Sequence, residues 1–410
     1  MNNPLQLGLV RFNKGSYITV EGKDSDQFYI IRSGHVHCGK EFEIEEETGG
    51  EVFKPGDFFG VVSTMASHNH LETARALTDV TLISVNREQY PLLIERNTPV
   101  AMKIINVFSR KVRMLDQALT RMTFKNAAEI EPPHLFQVAE YYIKQNQYNQ
   151  AFYSYYQYIK HCPQGENVQM AKAKMMKIKP YATVAYLDVE KSSEFIRQYP
   201  RDTMVFSEAE FGPELYIIQK GSIRITKIVD NNEVMLALLK PGDIFGEMAL
   251  LENKPRSASA IAHEDSVLMA VNRSNFKSMV VEQPKIISRL TILLAERIWS
   301  IYKQLENTML SDPAGRMWDT LLLELEKNRI DGNMKRSFSF PYGPKELINI
   351  VGLSKEVGAV ALRKLMENQK FKVVDNKFFI NDIRDIKKNA DYFKTMEKLN
   401  RSRQAGRQQP

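Results

Sequence analysis

An internal repeat is the feature of this sequence that most restricts its fold. The segment FKPGDFFGVVSTMASHNHLETARALTDVTLISVNR (53–87) aligns without gaps on LKPGDIFGEMALLENKPRSASAIAHEDSVLMAVNR (239–273). Ahead of each copy lies a second match, DQFYIIRSGHVHC (26–38) and PELYIIQKGSIRI (213–225). A chain that repeats such a unit is expected to fold it twice, so a fold assigned to one copy applies to the other.

The pattern inside each copy predicts β structure followed by a helix. Short alternating apolar strands are separated by glycine turns and Lys-Pro-Gly-Asp corners, which is typical of a small β-sandwich or jelly roll. Behind each barrel, apolar residues recur at helical spacing. They are Phe108, Val112, Leu115 and Leu119 in the upstream copy, and Ile287, Leu290, Leu294 and Ile301 in the downstream copy.

The segment between the copies has no strand pattern. Residues 131–178 indicate a helix, a turn, a second helix and the start of a third. Several residues fall at the spacings of a tetratricopeptide repeat: Leu135, Val138, Ala139, Tyr142, Ala151, Tyr155 and Pro163. Because about three such hairpins are needed to form a peptide-binding groove, a helical spacer between the barrels is favoured over a peptide-binding site.

Length and composition set the class of protein. At 410 residues the chain is too long for one ordinary core. No window approaches the roughly 18 apolar residues of a membrane span, and the N-terminus does not resemble a signal peptide. Cys38 and Cys162 form no metal-spaced cluster and fit a reducing compartment. These features predict a cytoplasmic protein without membrane contact, and the net charge of +7 permits nucleic-acid binding without requiring it.

The stretch FGEMALLENKPRSASA (245–260) combines groups suited to a nucleotide. Gly246 lets the backbone approach a ligand closely, and the short helical turn after it presents free N–H groups to an anion. Arg256 adds a charged fork that suits phosphate oxygens. Glu247 would repel phosphate but could accept hydrogen bonds from sugar hydroxyls. A phosphate site beside a sugar acceptor predicts a nucleotide.

These residues resemble the phosphate-binding cassette of cyclic nucleotide-binding domains, and the resemblance spans 185–305. It implies that Glu247 binds the ribose 2′-hydroxyl and Arg256 the cyclic phosphate, with Ser257 and Ala258 assisting. The helix after the barrel usually closes over the base. The resulting candidate ligand-binding residues are Gly246, Glu247, Met248, Ala249, Arg256, Ser257, Ala258, Arg297, Trp299 and Tyr302. The implied effector is cAMP, since Ser257 leans towards it in this family, with cGMP left open. The alternative is an empty cassette kept as a scaffold, with Arg256 in a surface ion pair.

The upstream copy lacks both charged groups. Val61 stands where Glu247 does, and His70 stands where Arg256 does. A neutral imidazole replaces a forked cation poorly, so we expect no cyclic nucleotide there. His68 and Glu72 alternate with His70 and could share a strand face, but no further strong ligand is evident and no metal is predicted.

The C-terminal region predicts a DNA-binding fold. Pro344 opens one helix, Gly352 makes a turn, Ser354 caps the next helix, and KFKVVDNKFFIND forms a hairpin. Helix, turn, helix and β-wing describe a winged helix-turn-helix, whose second helix enters the DNA major groove. The order of barrel, long helix and winged helix resembles the Crp/Fnr family of bacterial transcription regulators. The candidate DNA-binding residues are Ser354, Lys355, Glu356, Val360, Arg363 and Lys364.

The outer face of this second helix departs from the family. Val360 stands where the family usually has a second base-contacting Arg, and Val357 lies near its usual hydroxyl residue. Valine offers base edges only apolar contact, so affinity is expected to depend on phosphate contacts and on salt. The alternative is a winged helix that has become a protein-interaction module.

Together these predictions give a multidomain α+β chain. The segments are a degenerate cyclic nucleotide-binding-like domain (1–125), a tetratricopeptide-like helical linker (126–180), a cyclic nucleotide-binding domain (181–308), a winged helix-turn-helix (309–390) and a disordered basic tail (391–410). The predicted function is a cytoplasmic, cyclic nucleotide-responsive regulator that binds double-stranded DNA. The alternative is a cyclic nucleotide-sensing regulatory protein that does not bind DNA specifically.

Two further predictions concern chemistry and assembly. An enzyme is not predicted, because the sequence has no Walker loop, no GxSxG, no paired acid-base constellation and no zinc spacing. Family members pair through the helix that follows the barrel. This chain has two such helices, so either a homodimer forms or the two barrels pair within one molecule, burying Phe108 and Leu115 against Leu290 and Leu294.

Overall fold

The chain forms two compact units, each built from separate stretches of sequence. The computed structural model describes residues 7–24, 26–41, 49–123, 131–183, 195–229, 232–246, 254–272 and 284–407. The first unit, here the linker unit, comprises Met1–Leu7, Asn86–Arg113 and Ala127–Leu294. The second, here the tail unit, comprises Gly8–Val85, Met114–Asn126 and Ala295–Pro410. The elements are given below in chain order.

The upstream barrel begins the chain and belongs to the tail unit. Its elements are β1 (Gly8–Phe12), β2 (Tyr17–Thr19), β3 (Gln27–Ser33), β4 (Val36–Gly39), β5 (Glu51–Phe53), β6 (Phe58–Phe59), α1 (Val61–Ala66), β7 (Thr73–Ala76) and β8 (Val80–Asn86). They form two four-stranded sheets, β1-β8-β3-β6 and β2-β7-β4-β5. The core between them contains Tyr29, Ile31, Phe59 and Leu82.

Helices fill the segment between the barrels. They are α2 (Tyr90–Arg96), α3 (Thr98–Thr123), α4 (His134–Lys144), α5 (Tyr148–His161) and α6 (Val168–Ile178). In α3 the predicted apolar face is buried at Phe108, Val112 and Leu115. Helices α4 and α5 share a core with barrel residues Met204 and Ile261, so they pack on the downstream barrel.

The downstream barrel repeats the strand order of the upstream one. Its elements are β9 (Ile196–Tyr199), β10 (Met204–Phe206), β11 (Glu214–Lys220), β12 (Ile223–Val229), β13 (Asn232–Leu239), β14 (Ile244–Phe245), β15 (Ser259–Ala262) and β16 (Ser266–Asn272). The sheets are β9-β16-β11-β14 and β10-β15-β12-β13, so every strand has its counterpart in the same place. The two jelly rolls predicted from the repeat are therefore confirmed.

The C-terminal region follows a second long helix. Its elements are α7 (Pro284–Thr308), α8 (Pro313–Lys327), β17 (Phe338–Ser339), α9 (Pro344–Val351), α10 (Lys355–Met366), β18 (Phe371–Val374), β19 (Lys377–Ile380) and α11 (Arg384–Arg407). Gly352 ends α9 in the left-handed region, with φ 70°. The Ser354 hydroxyl caps α10 by accepting a hydrogen bond from the amide of Val357. Trp318, Phe340 and Leu365 contribute to the core that these elements share.

Helix α11 runs past residue 391, where the sequence predicts a disordered tail. Phe393 packs so closely on α8 that a Cβ at Gly315 would lie 2.8 Å from its ring. Lys394 pairs with Asp319 at 2.5 Å, and the Ser311 hydroxyl donates to Glu397 at 2.7 Å. One aromatic ring and these ionic contacts attach α11 to α8, and polar composition alone does not reveal them. No helix in the described residues is long and apolar enough to cross a membrane.

Candidate functional site

Arg256 lies at the centre of the candidate site, just ahead of β15. Its side chain is buried, with 3% of the residue exposed. Nη1 donates to the carbonyl of Gly246 at 2.6 Å, and Nη2 donates to the carbonyl of Glu214 at 2.7 Å. The guanidinium also lies 4.2 Å from the ring centroid of Phe206. Since the guanidinium is inside the barrel, the surface ion pair considered as an alternative is excluded.

Two glycines make room for this guanidinium. Gly246 has φ 78°, and a Cβ there would lie 2.7 Å from Nη1 of Arg256. A Cβ at Gly212 would lie 2.7 Å from Nη2. Real Cβ atoms do not approach so closely, so a side chain at either position would displace the guanidinium. Sequence reasoning identified Gly246 but missed Gly212, whose only signal is a glycine before Pro213 at the start of β11.

Glu210 is a buried carboxyl beside Arg256 that sequence reasoning also missed. Backbone hydrogen bonds join the two loops: Arg256 N donates to Glu210 O at 2.8 Å, and Arg256 O accepts from Ala209 N, the neighbour of Glu210, at 2.9 Å. The carboxyl accepts from Ser207 N at 3.0 Å and from the Tyr153 hydroxyl at 3.2 Å. Burial raises the pKa of Glu210 to about 7, against the lowering effects of the Ser207 amide and Arg256.

A second buried carboxyl fixes the strand that supplies one of the acceptor carbonyls. Glu214 receives two hydrogen bonds from Arg197, at 2.7 and 2.8 Å, and one from the Tyr216 hydroxyl at 3.1 Å. A forked pair of this kind holds both side chains in one geometry. The start of β11, whose Glu214 carbonyl accepts from Arg256, is therefore rigidly placed.

The structure describes only part of the predicted cassette. Glu247, Met248 and Ala249 lie outside the described residues. Ser257 is half-buried and Ala258 is buried beside Arg256.

The three residues predicted to close over the base belong to the tail unit. Arg297 pairs with Asp116 at 2.7 Å. The ring of Trp299 stacks on His68, with centroids 3.5 Å apart and planes at 8°. Tyr302 accepts a hydrogen bond from Lys40 at 3.0 Å. Within this unit all three contact residues of the upstream half of the chain, and a role over the base of a nucleotide stays a prediction.

The upstream barrel keeps the backbone of a cassette without its charges. Gly60 has φ 77°, matching Gly246, and α1 follows it directly. His70 is buried, and burial lowers its pKa, so its imidazole is neutral at physiological pH. The described residues contain no group of three His, Cys, Asp or Glu side chains placed to hold a metal ion.

Comparison with known proteins identifies this arrangement. Residues 9–97 and 196–283 match the cyclic nucleotide-binding domain family. The cyclic AMP receptor protein of Thermus thermophilus is 31% identical over 178 residues, which cover 42% of this chain and 76% of that protein. The chain belongs to the Crp/Fnr family.

Two further Crp/Fnr relatives extend the comparison. A CRP-like cAMP-activated global transcriptional regulator of Mycobacterium tuberculosis is 28% identical over 165 residues, covering 40% of this chain and 74% of that protein. A solved CRP/FNR-family transcriptional regulator from Thermus thermophilus is 20% identical, with a TM-score of 0.37, and covers 48% of this chain and 98% of that one. The two matched ranges in this chain coincide with its two barrels, so this Crp/Fnr chain carries the domain twice.

The C-terminal region of this Crp/Fnr chain presents one face of α10 to solvent. The predicted residues Lys355, Glu356, Val360, Arg363 and Lys364 are exposed, as is the cap Ser354. Gly358, Ala361 and Leu365 face the core.

Charge is concentrated in the same region of the Crp/Fnr chain. Residues 311–410 contain 20 Lys and Arg and 13 Asp and Glu, a difference of +7. The whole chain has 56 Lys and Arg and 49 Asp and Glu, a net charge that is also +7. The first 310 residues are therefore neutral overall. An excess of positive charge confined to one region is typical of a nucleic-acid-binding surface.

Proposed function

We propose that this Crp/Fnr chain is a transcription regulator that binds one cyclic nucleotide, cAMP before cGMP, in its downstream barrel. The observation that carries the proposal is the buried guanidinium of Arg256. Its Nε is buried and has no hydrogen-bond partner among the described residues, its two Nη atoms donate to neutral carbonyls, and the guanidinium lies against the ring of Phe206. A buried cation without a full counter-charge favours an anion of phosphate type. Glu247 is proposed as the acceptor for the ribose 2′-hydroxyl.

One nucleotide per chain is expected. In the upstream barrel the equivalent of Arg256 is the neutral, buried His70, and Val61 replaces the sugar acceptor. A neutral imidazole cannot offset the charge of a phosphate at the cassette.

DNA binding is proposed for the C-terminal region as a winged helix-turn-helix. The helices α9 and α10 are joined by a short turn at Gly352, and β18 and β19 form a hairpin after them. The exposed face of α10 and the net charge of +7 over residues 311–410 support contact with phosphates through Lys355, Arg363 and Lys364. We propose that a ligand in the downstream barrel reorders α7 and thereby repositions the C-terminal region. This requires the ligand to bind more tightly to one arrangement of the C-terminal region than to the other.

A second candidate function is a cyclic nucleotide-sensing protein that contacts another protein. The observation that favours it is the exposure of two valines on the outer face of α10, 44% for Val357 and 55% for Val360. Neither can form hydrogen bonds with base edges. The tetratricopeptide-like helices α4 and α5 would suit partner contact as well.

Pairing of the two barrels within one molecule is proposed in preference to a homodimer. Within the linker unit, the hydroxyls of Tyr90 and Thr291 lie 2.8 Å apart. Within the tail unit, Asp116 of α3 pairs with Arg297 of α7. Both contacts join the helical segment behind the first barrel to the helix behind the second.

Calorimetric titration of cAMP and cGMP into the intact protein tests the sensor, with Arg256→Ala and His70→Ala as a matched pair. We expect one saturating site per chain, abolished by Arg256→Ala and retained in His70→Ala. No heat with either nucleotide would refute the sensor. Band shifts at graded salt, with and without nucleotide, then separate the two candidate functions. Ligand-dependent binding that weakens steeply with salt supports the regulator, and no DNA binding supports the protein-interaction alternative.

A further inference from the structure

The turn that ends α1 in the upstream barrel exposes two backbone acceptors. Ser67 caps the helix in the left-handed region, with φ 50°, and its amide already bonds back into the helix. The last carbonyls of a helix commonly accept hydrogen bonds from donors outside the helix.

Arg329, at the end of α8 in the C-terminal region, supplies those donors. Its Nη1 donates to the Ser67 carbonyl at 3.0 Å, and its Nη2 donates to the Ala66 carbonyl. A guanidinium is the side chain best suited to this task, because it presents several donors in a fixed fork. Arg329 itself has φ 57°, a conformation that few residues other than glycine adopt.

His68 is a further partner of Arg329, whose Nη2 also pairs with Glu296 of α7 at 3.1 Å. Its Nε2 lies 2.7 Å from Nη1 of Arg329, and its ring stacks on Trp299. Burial, together with the nearby charges of Arg329 and Lys303, lowers the pKa of His68 to about 4. The imidazole is therefore neutral at physiological pH, and its Nε2 can accept the hydrogen bond from Arg329.

A second contact joins the same two parts of the tail unit. Lys398 of α11 lies 2.9 Å from the carboxylate of Glu41, which follows β4 of the upstream barrel. Both side chains are about two-thirds exposed, so this ion pair contributes little stability by itself. The Lys398–Glu41 pair is useful as a probe because it lies away from Arg329. It can form only when the C-terminal region is docked on the upstream barrel.

We propose that the turn at residues 66–68 of the upstream barrel is the docking site for this chain's own C-terminal region, with Arg329 as the docking residue. The upstream cassette has His70 in place of a phosphate-binding arginine. The end of its helix α1 instead accepts hydrogen bonds from Arg329 of the C-terminal region. The upstream barrel then acts as a support that fixes the orientation of the C-terminal region, and this role needs neither a nucleotide nor DNA.

Zero-length carbodiimide crosslinking with mass spectrometry tests this in the full chain. The readout is the Lys398–Glu41 crosslink, and a mixture of ¹⁵N-labelled and unlabelled protein identifies crosslinks within one molecule. The variants are Arg329→Ala, Arg329→Lys, and Arg336→Ala as a control that removes an exposed arginine of the same region.

We expect the intramolecular crosslink in the wild type and in Arg336→Ala, a fall of about tenfold in Arg329→Ala, and an intermediate yield in Arg329→Lys. An equal yield in the wild type and Arg329→Ala, or no crosslink in the wild type, would overturn the proposal. Because the assay contains no nucleotide and no DNA, its result is independent of whether the proposed sensor or DNA reader is correct.

Discussion

The hydroxyl of Tyr153, on the linker helix α5, donates a hydrogen bond to Oε1 of Glu210 in the downstream barrel at 3.2 Å. The backbone carbonyl of Glu210 in turn accepts a hydrogen bond from the backbone amide of Arg256. A residue of the inserted helices is thus two contacts away from the guanidinium proposed to bind phosphate. The linker helices therefore belong to the supporting structure of the candidate site.

Tyr153→Phe is expected to weaken cyclic nucleotide binding several-fold without abolishing it. The change removes the hydroxyl that donates to the buried carboxyl of Glu210 and also lies 3.3 Å from the carbonyl of Val205, a loss worth about 1 kcal/mol, while the ring keeps its packing. Calorimetric titration measures the effect, with Tyr148→Phe as the control, since the Tyr148 hydroxyl donates to its near neighbour Asn146 and no contact of it with the barrel is seen among the described residues. Equal affinities in the two variants would show that the linker helices do not support the site.

Glu210 is expected to make stability depend on pH. Burial raises its pKa to about 7 in the folded state, from an ordinary value of 4.5. The folded protein therefore holds this proton more tightly than the unfolded chain does. The stabilisation is fully present below pH 4.5 and is lost as the pH rises towards 7, by an amount on the order of 3 kcal/mol.

Urea unfolding of the wild type and Glu210→Gln at pH 5 and pH 8 measures this dependence. The Gln variant has no carboxyl proton to lose, so it escapes the loss of stability that the wild type suffers. From pH 5 to pH 8 the urea midpoint of the variant should therefore rise relative to that of the wild type. A difference between the two proteins that is the same at both pH values would contradict the raised pKa.

Gly212→Ala is expected to reduce nucleotide affinity by about tenfold, because the new methyl group would lie 2.7 Å from Nη2 of Arg256 and push the guanidinium away. The residue has an ordinary backbone conformation, so the substitution adds bulk without backbone strain. Gly332→Ala, which meets only side-chain atoms of Leu322 and Lys387, is the matched control. Unchanged affinity in Gly212→Ala would mean that the bound state does not need the guanidinium where this structure places it.

Arg363→Ala is expected to lower DNA affinity and to make the dependence of log K on log salt shallower by about one unit, the signature of one lost phosphate contact. The side chain is exposed on the outer face of α10. Lys220→Ala, an exposed lysine of the downstream barrel, should leave both quantities unchanged. A slope that is identical in the two variants would place α10 outside the DNA interface.

The sequence repeat predicted the barrels closely because strand register and turn glycines are local properties. The strands Thr73–Ala76 and Ser259–Ala262 lie at equivalent places in the alignment, and Gly60 and Gly246 share a left-handed backbone. The contact between Tyr153 and Glu210 was not predictable in this way. It joins residues 57 positions apart, on a helix and a barrel loop whose packing no local pattern encodes.

Helix α7, which follows the downstream barrel, shows a second limit of prediction from the sequence. Helical spacing predicts which residues of α7 are buried, but not which neighbour buries them. Trp299, which is predicted to face a nucleotide, stacks on His68 within the tail unit. A helical wheel identifies a face, and only the tertiary structure identifies its partner.

Phe393→Ala is expected to loosen α11 and destabilise the C-terminal region by about 2 kcal/mol, since a half-buried ring that packs on Gly315 is removed. Hydrogen exchange of the amides in α8 and α11 measures the effect locally, where loss of packing should accelerate exchange by one to two orders of magnitude, about 1.4 kcal/mol for each factor of ten. Tyr392→Ala is the matched control, because the neighbouring ring is 57% exposed on the same helix. If the two variants exchanged at the same rate, α11 would not be held by Phe393, and the region after residue 391 would behave as the polar tail that its composition suggests.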